Sequence, residues 1–262
     1  MNPDLKKVGC IVLAAGKGVR MKSDLPKVLH KLSGKPLLTY VLDTVQSLSL
    51  KRVAVVVGYQ GKKVIDLLKG KNVEIVWQKE QMGTGHAVMQ AEPLFSDFKG
   101  DLLVLYGDVP LIRAQTIINL VEIHQTKKAI ATVLTAILGD PKRYGRIVRK
   151  KDDTLDRIVE DKDATPEEKK IKEINSGEIC FSAPALFSAL KKVKRDNLQK
   201  EYYLTDVLKI LREKDETVET LLIQNRWETE GINSSLELKQ MEEYISNKKI
   251  ELSVNKLSLT KK

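Results

Sequence analysis

An α/β protein built on a doubly wound, mostly parallel sheet is the fold class this sequence predicts, and three observations lead to it. Short, unbroken apolar runs recur along the chain, and stretches with helical periodicity fall between them. The first of these runs, within VGCIVLAAGKGVRMKSDLPK at residues 8–27, leads straight into a glycine-rich, cationic loop. An apolar run without alternation suits a strand covered on both faces, as strands of parallel sheets are. Strands alternating with helices give the βαβ rhythm, whose right-handed crossovers put helices on both faces of the sheet.

Residues 10–13 form the first expected strand. Gly16 and Gly18 let the backbone after it turn sharply and approach a ligand. Lys17, Arg20, Lys22 and Lys27 add cations, a set that suits a polyphosphate better than a neutral ligand. The loop is neither a Walker loop, which needs GxxxxGK[ST], nor a dinucleotide fingerprint, which needs a third glycine where Met21 stands. A basic surface loop is the competing reading.

Residues 37–48 carry apolar side chains at 37, 38, 41, 42, 45 and 48, the helical period. Strands are expected at 53–57, 73–77 and 102–106, with helices at 62–68 and from about His86. In WQKEQMGTGHAV a strand ends at Trp77 and glycines flank Thr84 before a helix. Ligands of such folds gather at strand carboxyl ends. There Gln78 and Gln81 offer amides able to read a pyrimidine edge and Gly83 offers backbone contact; a turn with solvated glutamines is the alternative. LLVLYGDVPLI delivers Asp108 to the same rim, either as a hard oxygen ligand for magnesium or as a turn former.

From Ala129 the spacing shortens, with strand-like runs at 130–138, 145–149 and 155–160 that suggest hairpins and a small antiparallel lobe. Thr165, Pro166 and Glu168 make a capping box for a short helix, and 174–181 reads as a further strand. An amphipathic helix over 202–211 and a last strand at 218–223 follow. Then GINSSLELKQMEEYI sets Leu238, Met241 and Ile245 at helical spacing, with Asn233 just before the capping pattern of Ser234 and Glu237. The division expected is 1–232 as one domain and 233–262 as a helical arm, whose charged end from 247 reads as frayed.

A chain of 262 residues buries about three quarters of its unfolded surface, enough for one large domain. Cys10 and Cys180 lie in apolar runs without ligand spacing and are expected as reduced core residues. The amino terminus lacks a signal-like apolar region, and no run approaches the roughly 20 apolar residues that span a bilayer, so a cytoplasmic protein with no membrane partner is expected. The net charge of +10 invites nucleic acid as a partner, but aromatics are only 5% and no nucleic-acid-binding motif occurs, so none is expected.

LAAGKGVRM followed by DLPKVLHKLSGKP resembles the signature of the sugar-phosphate nucleotidyltransferases. The likeness is strongest to the uridyltransferase (UDP-N-acetylglucosamine pyrophosphorylase) half of the bacterial GlmU family. It implies a Rossmann-like fold of nucleotide-diphospho-sugar transferase type, UTP and N-acetylglucosamine 1-phosphate as substrates, and Mg2+ as cofactor. By the same resemblance, Leu13, Ala14, Ala15, Gly16 and Gly18 meet the nucleotide, with Arg20 and Lys27 as catalytic cations. Gln78, Gln81, Gly83 and Thr84 of the QxEQxGTGHA segment hold uracil. YGDVPL puts Tyr106, Gly107 and Asp108 on ribose and metal. YGRIVR, IVEDKDAT and EINSG place Gly145, Glu160 and Asn175 on the sugar, and Asn233 matches the asparagine that shares the metal with the aspartate.

Met82, Arg143 and Ser176 depart from the family pattern, the last two standing where glycine and threonine are usual. The departures at Arg143 and Ser176 bear on sugar selectivity rather than on the reaction. Family members normally continue into a left-handed helix of hexapeptide repeats that carries acetyl transfer and trimerisation. No such repeat occurs in these residues, so a monomer or weak dimer is expected.

A sugar 1-phosphate has its second pKa near about 6 and is already an anionic nucleophile at neutral pH. Such a transfer needs cations and a metal rather than a base. The lack of HExxH, GxSxG or a Cys/His motif among only three histidines agrees with it. The same transfer with another sugar or base, or a catalytically silent sugar-nucleotide-binding protein, are the alternatives.

Overall fold

The computed structural model describes residues 3–259, with side chains from 3 to 248. In chain order its strands are β1 (Val8–Ala14), β2 (Lys31–Leu32), β3 (Lys35–Pro36), β4 (Arg52–Val57), β5 (Glu74–Trp77) and β6 (Asp101–Tyr106), followed by β7 (Ala131–Ile137), β8 (Arg146–Arg149), β9 (Leu155–Val159), β10 (Glu173–Ser182) and β11 (Val218–Ile223). The helices are α1 (Leu37–Ser47), α2 (Gly61–Leu68), α3 (Thr84–Met89), α4 (Glu92–Phe95), α5 (Ala114–Thr126), α6 (Ala183–Leu190), α7 (Asp206–Arg212) and α8 (Ser235–Leu259).

All seven residues of β1 are buried, as its unbroken apolar run demands. It lies between β4 and β6, parallel to both, in a sheet of order β11-β7-β10-β6-β1-β4-β5. Its side chains alternate between two cores. Cys10, Val12 and Ala14 pack with Leu38 and Leu42 of α1, Val64 of α2 and Leu120 of α5. Ile11 and Leu13 pack with Val88 of α3, Leu186 of α6 and Val207 of α7. The result is the three-layer, doubly wound architecture expected, with the carboxyl ends of β1, β4 and β6 sharing one rim through the register Leu13↔Val56 and Leu13↔Tyr106. Both cysteines are fully buried and burial raises their thiols, which suits core residues.

The antiparallel part is continuous with the main sheet. β10 runs antiparallel between β6 and β7, β11 lies parallel to β7, and the β8–β9 hairpin hangs from Ile174 of β10. The capping box forms as expected, Thr165 N–H donating to Glu168 Oε2 at 2.8 Å and Glu168 N–H to Thr165 Oγ1 at 3.2 Å, but it caps a single 3-10 turn.

Two expectations are corrected. The helix read over 202–211 begins only at Asp206, because the backbone before it bonds elsewhere: Tyr202 N–H donates to Met82 O and Gly85 N–H to Tyr202 O, both at 2.8 Å. The end read as frayed from 247 is helical to Leu259, a stretch free of glycine and proline and rich in good helix formers; residues 260–262 lie outside the described residues. The β2–β3 ribbon was not foreseen. Its turn residues Ser33 and Gly34 both have positive φ, the geometry of a tight hairpin. This ribbon seats α8, since Ser33 N–H donates to Glu242 Oε1 at 3.1 Å and Leu32 packs with Met21, Leu37, Ile232 and Met241. Among the described residues no helix is long and apolar enough to cross a membrane.

Candidate active site

The rim is built from backbone first. Gly107 N–H donates to Leu13 O at 2.9 Å and Tyr59 N–H to Ala15 O at 3.0 Å, so the chain leaving β1 is tied to both neighbouring strand ends. Gly107 is hemmed in, since a Cβ there would lie 3.0 Å from Leu38 Cδ1 and 3.1 Å from Leu13 O. Gly18 has φ +64, and a Cβ on it would come within 2.5 Å of Lys27 Cβ. The missing side chain is what lets Lys27 fold beneath the loop. Gly16 does not share this role: its φ is not positive, and a Cβ there would meet nothing within 4 Å.

Lys27 opens a 3-10 turn after Pro26, and its ammonium donates to Asp108 Oδ2 at 2.5 Å and to Asn233 Oδ1 at 2.9 Å. Asp108 is only 6% exposed. Ile232 N–H donates to Asp108 O at 3.0 Å and Asn233 Nδ2 to Gly231 O at 3.0 Å, which ties the segment before α8 to the end of β6. The capping pattern is also present, with Asn233 N–H donating to Glu237 Oε2 at 2.7 Å and Glu237 N–H to Ser234 Oγ at 3.3 Å. Thus Asp108 and Asn233, remote in sequence, already face one cation.

That donor set fits magnesium. Two hard oxygens face a common positive charge, and Mg2+ is usually held by one or two protein oxygens with water and substrate phosphates completing its shell. Gly231 keeps the approach open, since a Cβ there would lie 3.2 Å from Asp108 Oδ2. Among the described residues no three His, Cys, Asp or Glu side chains are grouped as ligands.

Two cavities meet at Lys27, Tyr106 and Asp108. The first, of 310 Å³, is bounded by Leu13, Ala14, Ala15 and Gly16 at the end of β1 and by Gln78, Gln81, Gly83 and Thr84 after β5. Gln78 is 3% exposed and its Nε2 is spent on Gly83 O and His86 Nδ1, each at 3.0 Å, so it shapes the loop. Gln81 Nε2 donates to Gln78 O at 3.1 Å. Gly83 has φ +106, and a Cβ there would lie 2.6 Å from Tyr202 O. Glu201 lines the same cavity with its carboxyl raised by burial; nothing in its polar surroundings marks it in the sequence.

The second cavity, of 190 Å³, brings Gly145, Glu160 and Asn175 together with Asn233. Glu160 accepts from Thr205 Oγ1 at 2.9 Å, and burial raises its carboxyl, with the nearby Asp206, Asp163 and Asp161 adding to the effect. Gly145 leaves room beside it, a Cβ there lying 2.9 Å from Ile158 Cγ2. Asn175 stands where β10 shifts register against β7, its Oδ1 accepting from Gly177 N–H at 3.0 Å. Arg20 is exposed and lines a third cavity, of 340 Å³, that also includes Asn233, whereas Lys17 sits 5.4 Å from the Tyr59 ring centroid. Gly18, Lys22 and Gly107 line none of the three.

The architecture is shared with solved structures of UDP-glucose pyrophosphorylase. UDP-glucose pyrophosphorylase complexed with UDP-glucose matches with a TM-score of 0.71 over 92% of this chain and 98% of that one, at 18% identity. The apo form of UDP-glucose pyrophosphorylase matches with a TM-score of 0.70 at 17% identity, again over 92% and 98%. The chain belongs to the MobA-like NTP transferase family, whose domain profile covers residues 10–213, and it is a nucleotidyltransferase. It is 46% identical over 238 residues to the bifunctional protein GlmU of Oceanobacillus iheyensis, covering 91% of this chain and 52% of that protein. The corresponding protein of Syntrophomonas wolfei is 43% identical over 243 residues, covering 93% and 54%. The chain spans about half the length of the curated relatives it matches.

One acid near the site escaped the sequence reading. Glu178 is 1% exposed, and neither carboxyl oxygen has a hydrogen-bond partner among the described residues. Burial pushes its carboxyl up to about 8, and the Asp108 charge adds to the effect. The folded protein therefore keeps this proton to about pH 8, whereas a free glutamate releases it near 4.5. Unfolding releases a proton between those values, so stability falls as pH rises through that window. Glu178→Gln should match the parent below about pH 5 and melt roughly 10 °C higher near pH 8. Thermal melts at both pH values check this; parallel curves for the two proteins would show the carboxyl ionised in the fold.

Proposed function

We propose that the chain is a magnesium-dependent uridyltransferase forming UDP-N-acetylglucosamine and pyrophosphate from UTP and N-acetylglucosamine 1-phosphate. The observation that carries this reading is the Lys27 ammonium between Asp108 and Asn233 where two cavities meet. One cavity takes the nucleotide and the other the sugar, so their junction is where the phosphates come together. The motif resemblance supports the choice of base and sugar. In this reading residues 1–232 form the transferase domain and 233–262 an arm that supplies Asn233, and the enzyme works in the cytoplasm as a monomer or weak dimer.

A phosphate oxygen of the sugar 1-phosphate attacks the α-phosphorus of UTP. The bond from that oxygen to phosphorus forms, the bond between the α-phosphorus and the bridging oxygen to the β-phosphorus breaks, and its electron pair leaves on pyrophosphate. The nucleophile is already ionised, so no side chain has to take a proton. Lys27 and Arg20 hold phosphate oxygens and offset charge moving toward the leaving group. Gln78 fixes the loop from which Gly83 meets the base, and Gly145, Glu160 and Asn175 orient the sugar. Asp108 and Asn233 would hold magnesium, which when bound neutralises phosphate oxygens as a Lewis acid. A transfer to another sugar is the second reading, favoured by Arg143 and Ser176 at the sugar-side cavity.

Pyrophosphate release across a grid of nucleoside triphosphates and sugar 1-phosphates tests the reading. UTP with N-acetylglucosamine 1-phosphate should be the best pair, and a site built to bond the acetamido group should leave glucose 1-phosphate orders of magnitude behind. Preference for another pair would replace the assignment.

Lys27→Ala should lower turnover by about 10²- to 10³-fold, while Lys22→Ala, which alters a cation outside the three cavities, should stay near the parent. Steady-state rates on folded variants decide it, and near-normal turnover in Lys27→Ala would remove that residue from the chemistry.

Asp108→Asn and Asn233→Ala should each shift the magnesium midpoint of pyrophosphate release upward, the first more strongly because it removes an anionic ligand. Sharing one ion, they should be non-additive in the double variant. Multiplicative losses at an unchanged midpoint would show that they hold no common metal.

A further inference from the structure

Resting on the transferase reading above, we infer that Arg143 is a substrate-binding cation that holds the phosphoryl group of the sugar 1-phosphate. The residue lines both the 190 Å³ cavity that contains Glu160 and Asn175 and the 340 Å³ cavity that contains Arg20. Among the described residues, Tyr144, Gly231 and Asn233 share that position with it, so Arg143 stands between the sugar-side cavity, which contains Lys27 and Asp108, and the Arg20 cavity.

The loop beneath Arg143 is fixed while its own side chain is not engaged. The buried Arg146 guanidinium grips the carbonyls on either side, its Nη2 donating to Lys142 O at 3.1 Å and its Nη1 to Tyr144 O. Arg146 is in turn held by Asp161 Oδ1 at 3.0 Å. Lys142 Nζ donates to Glu230 Oε1 at 3.0 Å, and the Tyr144 hydroxyl donates to Thr229 O at 3.1 Å while accepting from Gly231 N–H at 3.0 Å. Between these two anchored neighbours Arg143 is exposed and makes no hydrogen bond or ion pair among the described residues.

The acids that border the same cavities are committed elsewhere. Glu230 is paired with Lys142, Asp108 with Lys27, Glu160 with the Thr205 hydroxyl, and Glu237 with the backbone of Asn233. A guanidinium with five donors on a preset backbone, and no local carboxylate to neutralise it, suits bidentate capture of a phosphoryl group. Only its side chain has to be ordered on binding, which keeps the entropic cost low. The anion on the sugar side of the junction is that of the sugar 1-phosphate; pyrophosphate is the other phosphoryl source within reach of the Arg20 cavity.

The test is calorimetric binding of N-acetylglucosamine 1-phosphate, unphosphorylated N-acetylglucosamine, UTP and inorganic pyrophosphate to the parent, Arg143→Ala and Arg143→Lys, with KM and kcat for the forward reaction. Arg143→Ala should melt like the parent, because the side chain has no partner to lose. It should weaken N-acetylglucosamine 1-phosphate about 10- to 100-fold, the loss expected for hydrogen bonds to a charged group, with the matching rise in KM. UTP, pyrophosphate and the unphosphorylated sugar should bind as before, and Arg143→Lys should recover part of the loss because it keeps the charge without the fork. Unchanged affinity for the sugar phosphate, a loss confined to pyrophosphate, or an equal loss for the unphosphorylated sugar would each overturn the assignment while leaving the transferase reading intact. A parent chain that neither binds nor turns over any sugar 1-phosphate would instead remove that reading and this one together.

Discussion

The contact on which the site depends is the ammonium of Lys27 shared by Asp108 and Asn233. It closes a triangle between the loop after β1, the end of β6 and the segment entering α8, three parts of the chain far apart in sequence. A buried carboxylate without a partner is costly, and the cation meets that cost only if the backbone lets it come close. Gly18 supplies the approach from one side and Gly231 from the other. The small core of Met21, Leu32, Leu37, Ile232 and Met241 holds the third side in place, so a packing interaction outside the main sheet keeps an electrostatic one in register.

Much of this was legible in the sequence, and the reason is physical. β1, β4 and β6 are buried on both faces and therefore appear as unbroken apolar runs, and the loop after β1 pairs glycines with cations whatever the chain does later. The carboxyl ends of those strands and of β5 follow from the topology, which is why Asp108 and Gln78 could be put on one rim before any geometry was known. Asn233 was harder to place, since a cap and a ligand call for the same amide, and the structure has it capped by Glu237 through its backbone while its side-chain oxygen faces Lys27.

What was not legible depends on partners distant in sequence. Tyr202 to Leu204 has the apolar content of a helix start, but its backbone is taken by the loop after β5, and no local pattern reports that. Glu178 lies within a strand whose neighbours Ile179 and Cys180 are core residues, and its burial without a partner is visible only once β10 is set between β6 and β7. Arg146 passes in the sequence as one more exposed cation of a basic chain. It proves to be 3% exposed and to hold a loop by its carbonyls, a role that charge counting does not detect.

The stretch from Tyr202 to Thr205 is bonded to residues that line both cavities. At one end Tyr202 is bonded by its backbone to Met82 and Gly85, in the middle Leu204 N–H donates to Thr84 Oγ1 at 3.1 Å, and at the other end the Thr205 hydroxyl meets Glu160. Four residues of main chain thus act as a ruler laid between the two compartments. The distance between those contacts is set by the covalent geometry of four residues, so the glycine loop and the sugar-side carboxylate are held in fixed register along the main chain.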